Sequence, residues 1–163
     1  MIFGLSIGAF TVVHVIISLI AILSGLIVFA GLFKSELRPG WTGVFLLTTL
    51  LTTVTGFMFP FGGITPAFAT GLISSAVLVA ALLALYAFHL MRGWRWIYVI
   101  TALFALYLNC FVLVVQSFQK IAALNALAPT QSELPFALAQ GLVLLAFIVL
   151  GALAVRRFHP RAV

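Results

Sequence analysis

Residues 5–33, LSIGAFTVVHVIISLIAILSGLIVFAGLF, contain no Asp, Glu, Lys or Arg, and the apolar run ends only at Lys34. A helix that crosses a bilayer needs about 20 predominantly apolar residues. A cleaved leader has a positively charged start and an apolar stretch of about 7–15 residues. The opening MIFGLSIGAF has no such charge and the run is too long, so it is expected to stay in place as a first membrane span.

Four further stretches match it: 41–61, 67–91, 94–118 and 134–155. None alternates apolar and polar residues as the ~10-residue strands of a membrane barrel do. Backbone groups surrounded by lipid must pair within their own segment, which makes each stretch a helix. The expected fold is therefore all-α: one domain, a polytopic bundle of five transmembrane helices. Composition agrees. The 163 residues are 65% hydrophobic and only 6% charged, whereas soluble domains carry roughly 25% charge. Mean hydropathy is +1.35.

The links are short. KSELRPG joins the first two spans, with Pro39 and Gly40 as breakers, and PFGGITP joins the next two. Arg92 and Gly93 form the third link. The longest, 119–133, contains the helix-prone IAALNALA and is expected to carry a short interfacial helix.

Five spans place Lys34, Arg38, Arg92, Arg95, Arg156, Arg157 and Arg161 on one side and Lys120 on the other. Basic residues in short loops mark the cytoplasmic face. The C-terminus is thus expected inside the cytoplasm and the N-terminus outside. Trp41, Trp94, Trp96 and Tyr98 would anchor the cytoplasmic interface. The net charge of +6 is scattered rather than gathered in a stripe, so it points to topology and anionic headgroups, not to nucleic acid.

Polar residues inside the spans each need a partner, which makes them informative. Projection at about 100° per residue puts Ile7, Thr11, His14, Ser18, Ala21 and Gly25 on one face of the first span. The second is rich in threonine (48, 49, 52, 53 and 55). The inner stripe of the third is Thr70, Ser74, Ala81 and Ala84, with Val77 amid it. On the fourth, Tyr98, Ala102, Ala105, Asn109, Gln116 and Lys120 align, and Phe104, Tyr107, Phe111 and Phe118 lie opposite, facing lipid or a neighbouring protein. The fifth offers Gln140, in line with Phe147 and Gly151. With the orientation above, His14, Thr52, Thr55, Thr70, Ser74, Asn109, Gln116 and Gln140 share the outer half of the membrane. A pocket near the external face is expected, with His14, Ser18, Thr52, Ser74, Asn109, Gln116 and Gln140 as ligand-binding residues and Gln119, Gln131 and Lys120 at its rim. The alternative is a structural network, since serine and threonine often bond their own i−4 carbonyl and amides join helices.

Several chemistries are excluded. There is no Asp, and the two acids, Glu36 and Glu133, lie in links. Intramembrane aspartyl chemistry, a Ser-His-Asp triad and carboxylate metal clusters have no residues to use. The single cysteine, Cys110, rules out an intrachain disulfide and a CxxC pair. His89 is expected to snorkel to the headgroups and His159 to be solvated. His14 and His89 lie about 20 Å apart in depth at 1.5 Å per residue, so one chain cannot clamp a haem between them. Two cofactors stay open: a quinone-like ring held by His14, Asn109, Gln116 and Gln140, or a haem on a single ligand.

TGFMFPF at 55–61, RWIYV at 95–99, and LYLNCFVLVVQSFQK with LAPTQSELPF across 106–136 resemble a family of small bacterial inner-membrane proteins with no established activity. The resemblance runs through most of the chain. It implies a bacterial cytoplasmic-membrane location and assigns no residue a role.

The functional expectation is a non-enzymatic protein that binds a lipophilic small molecule, quinone-like cofactor or lipid in an outward-facing pocket between helices. The alternatives are a structural or assembly subunit of a larger membrane complex, then a small pore or carrier for a neutral solute, then an intramembrane enzyme. Expected partners are membrane lipid, a lipophilic ligand, and another membrane protein or a second copy.

Overall fold

The computed structural model describes residues 2, 4–60 and 66–159. Helix α1 (Ile7–Phe33) begins where extended Ser6 turns its hydroxyl to accept from the Ala9 N–H at 3.2 Å. Such a cap satisfies one of the helix's first free donors. The helix closes as the Lys34 N–H reaches the Gly31 carbonyl, and Ser35 follows in the left-handed region.

Helix α2 (Pro39–Phe57) starts with proline in its first turn, where the missing N–H costs nothing. It stops at Phe57, short of the expected limit at residue 61. Proline disfavours helical geometry in the residue before it, so Phe59–Pro60 ends the helix. Phe61 lies outside the described residues.

Helix α3 (Pro66–Leu82) runs into a π-helical turn (Leu83–Ala87), and α4 (Trp94–Lys120) follows. The expectation of helix to Met91, with a link of only two residues, fails for a geometric reason. Reversing the chain between antiparallel helices takes residues 88–93. His89, Leu90 and Arg92 all adopt left-handed backbone there, at φ 48°, 57° and 49°. Phe88 stacks on Trp94 at 3.7 Å and closes the hairpin. The link after α4 carries the expected short helix, α5 (Ala122–Leu127), and α6 (Leu134–Arg157) completes the chain.

Five of these helical stretches are long and apolar enough to cross a membrane, and the described residues form no strand. Helix α4 is central and packs on α1, α3 and α6, while α2 bridges α1 and α3. The apolar core lies toward the end that carries the arginines, around Leu32, Phe45, Leu78, Tyr98 and Leu106. Helix α6 is peripheral. It contributes only Ala154 to that core, and Phe158 just beyond its end adds a ring. The tail is clamped by Ser35, whose hydroxyl donates to the Arg157 carbonyl at 2.6 Å and accepts from the His159 N–H at 3.0 Å.

Most of the projected faces hold. Ala21 and Gly25 on α1, Ser74 and Ala81 on α3, Ala84 in the π-helical turn, and Tyr98, Ala102, Ala105 and Asn109 on α4 are buried. Three placements are corrected. Ile7 is 49% exposed, because the first turn of α1 extends past its neighbours. Gln116 is exposed rather than interior, since no helix covers its side of α4 near the far end. Phe118 is 6% exposed rather than facing lipid, because Phe136 from the start of α6 packs edge-on against it at 5.4 Å.

Candidate functional site

The threonines of α2 are the hub of the polar interior. Thr55 meets His14 of α1 at 2.7 Å. Thr53 meets Ser74 of α3 at 3.3 Å and donates to its own Thr49 carbonyl. The Thr49 hydroxyl accepts from the Asn109 side-chain amide of α4 at 3.3 Å. One helix thus ties three neighbours through hydroxyls a turn or less apart. The buried Thr49, Thr53, Ser74 and Asn109 side chains are spent on one another, as an apolar interior requires.

His14 retains one free valence. The Thr55 hydroxyl donates to the Leu51 carbonyl at 2.7 Å, so its oxygen accepts the His14 Nδ1–H. In the neutral ring this places the proton on Nδ1 and the lone pair on Nε2. No described residue donates to Nε2, while Phe59 packs edge-on to the ring at 5.4 Å. Nε2 suits a hydroxyl donor or a metal. Among the described residues no group of three His, Cys, Asp or Glu converges to hold one.

The remaining candidates do not join His14. Ser18 donates back to the His14 carbonyl at 2.8 Å. The Thr52 hydroxyl is buried without a partner. Gln140 lies elsewhere, between α6 and α4. Its amide donates to the Phe111 carbonyl at 3.1 Å, and its own side-chain oxygen is buried and unpaired. Of the three rim residues, Gln131 donates to the Val115 carbonyl at 3.0 Å and Gln119 reaches Gln131 at 3.4 Å, while Lys120 is exposed. The expected pocket residues therefore fall in three places: α1 against α2, α2 with α3 and α4, and α4 against α6.

Open space lies where no polar residue led. A groove of about 450 Å³ runs between α4 and α6, from Ile100 to Tyr107 on one wall and Leu144 to Val155 on the other. Its floor is low because Gly151 faces Leu103, where even a Cβ would sit 3.7 Å from Cδ1. Tyr107 closes the deep end, stacked on Phe104 at 5.9 Å and edge-on to Phe147 at 5.7 Å. The tyrosine hydroxyl is the one polar side-chain group in the lining. The sequence carried a partial signal, in that Phe104, Tyr107 and Phe111 were expected to face outward. It carried none that α6 would stand off that aromatic face and leave a trough.

Comparison with protein-family models, with curated proteins and with solved structures returned no match.

Proposed function

We propose that this chain is a non-enzymatic multi-pass protein of the bacterial cytoplasmic membrane, its basic end in the cytoplasm, that holds a lipophilic molecule in the α4/α6 groove. The groove itself carries the reading: a trough of about 450 Å³ walled by aliphatic and aromatic side chains. Ligand sites are concave and mostly apolar with few polar groups. The interior around Thr49, Thr53, Ser74 and Asn109 supports a structural role instead, because its donors and acceptors already meet. Described basic residues other than Lys120 lie at the end where α1, α3 and α6 finish, which supports the orientation.

The test is mass spectrometry of molecules that co-purify with the protein, for the wild type and for Ala152→Phe, which plugs the groove from its exposed rim. One lipophilic species should be retained by the wild type and lost from the variant, at unchanged helix content. Equal retention in both would remove the groove from consideration.

An assembly-subunit role is the second reading. Leu134, Leu138, Leu142, Leu145 and Val149 form an exposed ridge on α6 at spacings of three and four. Such a ridge suits packing against another membrane helix.

A further inference from the structure

Resting on the reading that the α4/α6 groove holds a lipophile, we propose that its occupant is an anionic phospholipid. One acyl chain lies along the groove, and the phosphate sits at a mouth formed by Arg95, Trp96 and Arg156.

The register of the two helices sets the mouth. Leu103 opposes Gly151, and Tyr107 opposes Phe147. Four residues along α4 thus match four along α6 in the opposite direction. One turn past Ile100 on α4 lie Trp96 and Arg95, and one turn past Ala152 on α6 lies Arg156. The Arg95 guanidinium rests 4.5 Å from the centre of the Trp96 ring, which holds the charge at the groove's end. Arg156 is exposed in the last turn of α6.

Charge accounting calls for an anion from outside the chain. The sequence has two acids. Glu36 is taken by Arg38 at 3.0 Å. Glu133 lies at the opposite end of α6, where Thr130 and Ser132 occupy its oxygens. Arg95 and Arg156 therefore have no side-chain carboxylate to pair with. The mouth also receives the start of α4, which has no side-chain cap and no acid in its first turn. The Trp94 and Trp96 N–H groups already donate to the Met91 and Gly93 carbonyls, so the start of α4 adds only the helix dipole's preference for negative charge.

Length selects a lipid over a free anion. At 1.5 Å per residue, the groove walls extend about 10 Å along α4 and about 16 Å along α6. The longer wall is about half of the ~30 Å hydrocarbon thickness, the depth of one leaflet. A wall with one hydroxyl in it suits hydrocarbon, and the arginines stand where that leaflet's headgroups would lie.

The experiment is native mass spectrometry of the full chain in detergent, titrated with phosphatidylglycerol and with phosphatidylcholine of identical acyl chains. Each Lys or Arg near an anionic headgroup contributes enough for roughly a fivefold preference, so two should favour phosphatidylglycerol at least about tenfold. Arg95→Gln with Arg156→Gln should abolish that preference and leave phosphatidylcholine retention intact. Ala152→Phe should weaken both lipids. Equal retention of the two lipids by the wild type, with loss of both in Ala152→Phe, overturns the headgroup assignment and leaves the groove reading standing. A phosphatidylglycerol preference that survives the double arginine variant also overturns it. Retention of neither lipid, or no effect of Ala152→Phe, overturns the groove reading together with the inference. Dimers that shed lipid as they form would assign the groove to a second copy and overturn the inference.

Discussion

Gly25→Ala tests how tightly three helices meet. A Cβ at this position would lie 2.6 Å from Leu106 Cδ1 and 2.9 Å from Phe45 Cδ2 and Cε2, where ordinary contact begins near 3.4 Å. Leu106 and Phe45 are each 1% exposed, so neither can swing out of the way. Overpacking of this kind costs about 1–3 kcal/mol. Replacing glycine by alanine inside a helix returns about 1 kcal/mol. The net expectation is a loss of up to about 2 kcal/mol, or about 2–4 °C of melting temperature per kcal/mol for a chain of this size. Gly141→Ala is the control. Nothing lies within 4 Å of its Cβ position, so it should keep the helical gain and melt slightly higher. Leu106→Val removes the nearest clashing atom, and the pair Gly25→Ala/Leu106→Val should show favourable coupling of about 1 kcal/mol. Thermal unfolding in detergent, followed by tryptophan fluorescence, reads all four. A Gly25→Ala protein that melts at or above the wild type, with no coupling to Leu106, would refute the close approach of α1, α2 and α4.

Other substitutions separate satisfied from unsatisfied groups. Thr49→Val strands the Asn109 amide and should cost about 0.6 kcal/mol or more. Thr42→Val should cost less than Thr49→Val, because the Thr42 hydroxyl makes no hydrogen bond of good geometry and faces only the buried Tyr98 hydroxyl; the two are compared by melting in the same detergent. Arg92→Gly should raise the melting temperature, since left-handed backbone at φ 49° costs a side-chain-bearing residue about 1 kcal/mol. An unchanged or lower value would argue against the tight α3–α4 turn. Desolvation raises the Glu133 carboxyl, but hydrogen bonds from the Thr130 hydroxyl and from the backbone N–H groups of Thr130, Ser132 and Glu133 together lower it more, and it ends below its ordinary 4.5. Its contribution to stability is complete above that ordinary value and is lost as pH falls through the lowered one. The stability difference between the wild type and Glu133→Gln should accordingly shrink from about pH 6 to about pH 3. A constant difference would argue against these bonds in the turn that precedes α6.

The helices were legible in the sequence because each is decided locally. A long run without charge must pair its own backbone, and Pro39 marks a limit through geometry that involves only adjacent residues; the ends set by Ser6 and Pro60 differ from the expected 5 and 61. The α3 end was not legible. How many residues a reversal consumes depends on where the next helix must dock, and Phe88 stacking on Trp94 is a contact between two helices.

Faces were legible only where a neighbour exists to cover them. Projection aligned Asn109 and Gln116 on α4 correctly as directions, yet Asn109 is buried and Gln116 exposed. Direction follows from the helical period, whereas burial requires another helix at the same level. Phe118 shows the converse, covered by a ring that arrives from α6.

By itself the sequence determined five apolar helices, the end at which positive charge collects, and the direction in which the small and polar residues of each helix point. Helical hydrogen bonding and charge partition are properties of single segments, so they need no knowledge of neighbours. The tertiary structure decided which hydroxyl meets which amide, that α2 joins the bundle, and that α6 leans on α4 through Gly151 and Phe147 with a trough beside it. Those outcomes depend on how side chains from distant segments share one volume, and no periodicity within a single helix encodes that volume.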